Sequence, residues 1–214
     1  MEAYRLDKRF PVWEIAKINL RHNGIFSVSA AAILCLITPV LIGTASLDQR
    51  DAAFVLEMFL SLTGAIVLTP IFQPEQNEEI DDLISSKYHS VIKLYLVRAV
   101  YSVLAAGLLI TAFSLYMAAR DCVITPVLVL GTAADAVFLG SLGMLTASLS
   151  HNTVIGYLPP FLYYALNIGM GPKLGIFYLF SMTLEQYTPK LWMFAAGVLL
   201  IAISLLYQKL RRLL

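Results

Sequence analysis

The feature that most limits what this chain can fold into is a succession of apolar runs, each close to bilayer-spanning length. They cover residues 24–45, 52–72, 94–118, 124–149, 154–170 and 191–207. A helix needs roughly 20 apolar residues to cross the hydrocarbon core. Within that core every backbone N–H and C=O must find its partner inside the protein. Continuous runs meet this demand as helices, whereas a β-barrel alternates apolar and polar positions. Charged residues make up 14% of the chain, well below the roughly 25% of a soluble domain. The expected fold is an all-α membrane protein with six transmembrane helices in one domain, residues 1–214.

The segments between the runs carry the remaining organisation. Residues 1–23 mix Arg5, Lys8, Arg9, Lys17 and Arg21 with Phe10, Val12, Trp13, Ile15 and Ile18, the pattern of an amphipathic interfacial helix. A signal peptide is the competing reading, since Gly43-Thr44-Ala45 resembles a cleavage site. The long charged leader and the span-length run 24–45 speak against it. Residues 73–93 form the longest polar stretch. Ile80, Leu83, Ile84, Tyr88, Val91 and Ile92 fall on one helical face, with Glu78, Glu79, Asp81, Asp82, Ser85, Ser86, His89 and Lys93 opposite. Residues 171–190 are apolar but broken by Gly171, Pro172, Gly175, Glu185 and Pro189.

Six spans put both termini on one side. With that side cytoplasmic, eleven of the fifteen basic residues face inward. Only Arg50, Arg120, Lys173 and Lys190 then face out. This is the positive-inside asymmetry of a multi-pass membrane protein with cytoplasmic termini.

Two acids lie inside runs, Glu57 in the second and Asp135 in the fourth. A carboxylate at membrane depth is costly and usually faces a cavity or a partner. Each is therefore a candidate substrate-path or gate residue, against a structural acid or, for Glu57, a snorkelling one. The fifth run is rich in aromatic residues and carries Pro159-Pro160, so a hinge or wide turn is expected there. Tyr157, Tyr164 and Asn167 are substrate-path candidates on that run, with helix packing as the competing and favoured role. Gly131, Gly140 and Gly143 suit close helix approach. His89 and His151 read as isolated polar residues. Cys35 and Cys122 read as unpaired, and no metal-ligand set or catalytic arrangement stands out.

This layout resembles an ABC-2 type transporter permease. The local match is the stretch 72–98, with Glu75, Leu83-Ile84, Ser85-Ser86 and Arg98 in the positions of the family's acid, apolar pair, small residues and basic residue. The chain has Asn77-Glu78-Glu79 where the family often has Gly-Thr, and lacks a proline after the small residues. The resemblance implies a coupling helix between spans two and three, with Glu78, Asp81, Asp82, Leu83, Ile84, Ser85, Lys87 and Tyr88 contacting an ATPase. It also implies re-entrant half-helices at 171–190 and a complex of two permeases, alike or paralogous, with two ATPase subunits. ATP and Mg would be bound by that partner, since this chain has no Gly-x-x-x-x-Gly-Lys-Ser/Thr loop.

The function this implies is ATP-driven export of an amphipathic or hydrophobic compound, a peptide, antimicrobial or lipid. This chain would be a transport subunit rather than an enzyme, with no nucleic-acid partner. Two other classes stay open: an ATP-independent secondary transporter using Glu57 and Asp135 as an ion site, and a non-transporting immunity or regulatory subunit.

Overall fold

The computed structural model describes residues 24–76 and 91–211, and these are all helix and turn with no strand. The interfacial helix expected at 1–23 and the coupling contacts Glu78, Asp81, Asp82, Leu83, Ile84, Ser85, Lys87 and Tyr88 lie outside the described residues. The helices are α1 (Ile25–Leu41), α2 (Gln49–Val55), α3 (Leu62–Leu68), α4 (Val91–Ala118), α5 (Pro126–Ser150), α6 (Thr153–Met170) and α7 (Thr188–Arg211). A π-helical turn, Leu56–Leu60, joins α2 to α3, and a 3-10 segment, Thr69–Gln76, follows. These pieces form one rod.

Among the described residues four helical stretches are long and apolar enough to cross a membrane: Gln49–Pro74, Ile92–Ala118, Pro126–Ser150 and Thr188–Arg211. The protein is thus membrane-embedded in character. The first and fifth runs also form helices, but α1 is only 17 residues long. In α6 two prolines, three tyrosines and Asn167 dilute the apolar content. The hinge expected at Pro159-Pro160 does not break the helix, which continues from Thr153 to Met170.

Local chemistry explains where the helices begin. The Asp48 carboxylate accepts the Asp51 N–H at 2.8 Å, so α2 starts ahead of its apolar run. Pro126 opens α5, where its missing N–H costs no helical bond. His151 turns out of α5 in the left-handed region, and Asn152 then caps α6 through Val154 N and Ile155 N.

α5 is the axis of the bundle. It packs on α7, α3 and α6, and 72% of its apolar window is buried, against 22% for α7. Glycine makes its contact with α3 possible. A methyl at Gly64 would stand 1.8 Å from the carbonyl oxygen of Ala136, and one at Gly140 would stand 2.6 Å from the Gly64 carbonyl. At Gly131 and Gly143 a methyl would meet side chains instead, Met182 Sδ at 2.3 Å and Thr69 Oγ1 at 2.0 Å.

The turns gather at two ends. At one, Ser46 N donates to Arg120 O, Val123 N to Leu47 O, and Gln49 Nε2 to Tyr187 Oη. At the other, Gln76 Nε2 donates to Thr153 Oγ1. There His151 is not isolated: its Nδ1 lies 2.5 Å from an Arg211 guanidinium nitrogen.

The half-helices expected at 171–190 are absent as α-helices. Two short 3-10 turns, Gly171–Phe177 and Met182–Leu184, stand in their place. Gly171, Gly175 and Glu185 all have positive φ, which reverses the chain too often for an α-helix to propagate.

Candidate functional site: a buried acid–lysine cluster

The two acids singled out from the sequence meet in space, and a lysine meets them both. Lys190 Nζ lies 2.6 Å from Glu57 Oε1 and 2.6 Å from Asp135 Oδ2. It also donates to the backbone oxygen of Leu179. Glu57 and Asp135 are fully buried and Lys190 is 5% exposed. Lys190, counted from the sequence among the four basic residues on the outer side, begins α7 next to Pro189, and both residues are buried. Glu57 does not snorkel either: its carboxylate points across the bundle.

Glu57 has a further set of partners. Its Oε1 accepts the Met182 N–H at 2.8 Å, and Oε2 accepts the Thr183 N–H at 3.2 Å and the Thr183 hydroxyl at 2.8 Å. One side chain thus fastens the second 3-10 turn to the rod. Three charge-assisted donors plus an ammonium supply what a buried carboxylate needs.

The π turn sets this geometry. Ser61 N reaches back five residues to Leu56 O, and Ser61 Oγ donates to Glu57 O at 2.5 Å. A π bulge shifts the register of the helix by one residue and loosens its carbonyls. Tyr164 Oη donates to one of these, Met58 O, at 2.6 Å.

The aromatic run on α6 works mainly through such links. Tyr157 Oη donates to Ile66 O at 3.3 Å, and Tyr163 Oη to Phe177 O. Asn167 is buried, accepting Leu179 N at 2.7 Å and donating to Tyr163 O at 2.9 Å. Tyr157, Tyr164 and Asn167 therefore hold the rod and the connecting segment to α6. Tyr178, on that segment, has its hydroxyl pKa raised by burial and then by the Glu57 charge.

The bonds of Glu57, Lys190, Tyr163 and Asn167 converge on residues 177–187. At its rim Arg50 pairs with Glu185 at 3.0 Å, both side chains more than half exposed. Such a rim pair contributes about 0–1 kcal/mol, so the buried cluster, not the rim, fixes the segment.

A cleft of about 1150 Å³ opens beside the cluster, between α4, α5 and α7. Val103, Gly107, Leu130, Ala134 and Phe194 give it an apolar wall, and the stem of Lys190 closes one side. None of Tyr157, Tyr164 and Asn167 lines it.

Arg98, which carries part of the family resemblance, is buried. Its guanidinium donates to Ile71 O at 3.0 Å and lies 5.9 Å from the Tyr95 ring centroid. It therefore braces the end of the rod that precedes residues 77–90.

Comparison of the chain with family models, with curated proteins and with solved structures finds no match.

Proposed function

We propose that this chain is the permease subunit of an ATP-driven ABC exporter of the ABC-2 type. It would move an amphipathic or hydrophobic compound across the bacterial cytoplasmic membrane. The observation that carries this reading is the order of the helices along the chain. Six apolar helices alternate between two ends, and the long polar segment leaves from the end that holds Gln76, Thr153 and Arg211. That end is assigned to the cytoplasm by the distribution of Lys and Arg. The segment 171–187 then lies on the outer side.

In this reading all six helices span, and residues 77–90 dock on a separate ATPase that binds ATP and Mg. Arg98 and Ile71 transmit the motion of that segment into the rod, which ends at the Glu57 cluster. The outer segment is the element that the cluster holds shut. The apolar cleft suits a hydrophobic cargo, since polar groups are few along it.

One observation favours a second reading, an ATP-independent secondary transporter: both intramembrane acids converge on a single buried point. The two readings part on one experiment. The chain is co-expressed with a candidate ABC ATPase subunit, and Leu83→Ala with Ile84→Ala is compared with wild type. The permease reading expects co-purification and permease-stimulated ATP hydrolysis, both lost in the double variant while the chain stays inserted. Unchanged assembly and hydrolysis in the double variant would remove the coupling role.

A further inference from the structure

The cluster is one positive charge short. Two carboxylates face a single ammonium, so the fully ionised set carries a net charge of −1 in a place almost closed to solvent. An uncompensated buried charge costs several kcal/mol even after relaxation, so the structure must supply compensation. Its placement is visible. Both oxygens of Glu57 and Oδ2 of Asp135 have donors. Asp135 Oδ1, fully buried, has none among the described residues.

A second buried oxygen without a partner among the described residues belongs to the same neighbourhood. Ser181 Oγ is fully buried. It lies between Leu179, whose carbonyl takes the Lys190 ammonium, and Met182, whose N–H goes to Glu57. The other titratable groups around Asp135 do not supply the missing charge. Lys190 from α7 is already counted, and Glu57 from the rod adds to the deficit. Tyr163 from α6 stands within electrostatic reach of Asp135, and Tyr178 of Glu57 and Lys190, and both are neutral phenols. Arg98, on α4, is directed to Ile71 O.

We infer that the Glu57–Asp135–Lys190 cluster binds one small monovalent cation, a proton or a sodium ion, at Asp135 Oδ1. Its chemistry is that of a hard oxygen site needing one unit of charge. Occupancy completes the electrostatics that hold the segment 177–187 against the bundle. An empty site leaves the carboxylates repelling one another and loosens that segment. The inference does not rest on pairing with an ATPase. Transport driven by a cation gradient without ATP would overturn the permease reading and leave this one standing.

The test uses the purified full chain in lipid nanodiscs, with unfolding followed by tryptophan fluorescence; Trp192 lies close to Lys190 in α7. Melting is compared in sodium chloride and choline chloride at equal ionic strength, across a series of pH values. If sodium is the occupant, the melting temperature rises by about 5 °C in sodium over choline, the linkage expected at saturating ligand. If it is a proton, a similar rise accompanies acidification whatever the salt. Asp135→Asn, which removes the surplus charge and keeps the shape, abolishes either response. Should that variant fail to accumulate, infrared difference spectra of the wild type carry the test, since a carboxyl band must change on the sodium or pH step. Melting and carboxyl bands indifferent to both steps overturn the assignment, as does a response that survives in Asp135→Asn.

Discussion

Lys190 and Asp135, separated by 55 positions in the chain, hold ammonium and carboxylate 2.6 Å apart in a fully buried pair. Neither could stay there alone. The pair ties the start of α7 to the middle of α5, and through Glu57 it draws in the rod and the outer segment. Three parts of the bundle thereby depend on one lysine.

Replacing that lysine should be severe. Lys190→Met keeps the volume of the stem but leaves two buried carboxylates without their cation. Breaking a buried pair in this way costs about 3–5 kcal/mol. Adding Glu57→Gln and Asp135→Asn to Lys190→Met should recover a large part of the loss, because a neutral cluster has no charge to compensate. Thermal unfolding in nanodiscs checks both statements; a single variant as stable as wild type would contradict them.

The contact between α3 and α5 should tolerate no side chain at Gly64. A methyl there meets the backbone of Ala136, which cannot rotate away. Gly64→Ala is expected to exceed the roughly 1–3 kcal/mol typical of overpacking and to lower the folded yield. Gly43→Ala, where a methyl meets nothing within 4 Å, serves as the control. Size-exclusion profiles of the two variants give the comparison, and equal yields would refute the close approach.

Tyr164→Phe removes the hydroxyl that satisfies Met58 O and leaves the ring in place beside Phe180. A loss of about 1 kcal/mol is expected, the usual worth of one hydrogen bond. Tyr164→Ala should cost more, since the ring contact goes as well. Urea unfolding of the pair separates the two contributions. Equal losses would mean that the hydroxyl carries the whole effect.

The proposed orientation has its own check. Single cysteines at Arg50, Asp121 and Lys173, in a background lacking Cys35 and Cys122, should react with an impermeant maleimide on intact cells. A cysteine at Arg211 should stay unlabelled until the membrane is opened. The reverse pattern would invert the assignment of the ends.

The helices were legible in the sequence because continuous apolar runs admit only one economical backbone solution in a bilayer. Gly140 and Gly143 were legible for a related reason, since small residues mark where two helices approach. Glu57 and Asp135 stood out as acids in apolar runs, but their meeting did not. It depends on Lys190, which the sequence marked only as one of four basic residues on the outer side and which the fold buries against both acids. The π turn that aims Glu57 was also hidden, because no composition signal separates Leu-Glu-Met-Phe-Leu in a π turn from the same residues in an α-helix. The shape of residues 171–187 was half visible: Gly171, Pro172 and Gly175 announced a break. The left-handed turn at Glu185 had no such signal, since a non-glycine residue seldom adopts that conformation.

The central claim is that the Lys190 cluster fastens the segment 177–187 over one end of the bundle. Cysteine accessibility at Ser181 tests it most directly, because Ser181 is fully buried and close to cysteine in size. In a background lacking Cys35 and Cys122, Ser181→Cys should resist a water-soluble maleimide in nanodiscs. Adding Lys190→Met should make it react at a rate approaching that of a cysteine at exposed Lys173. Protection that is the same with and without Lys190 would show that something other than the cluster holds the segment, and would contradict the account.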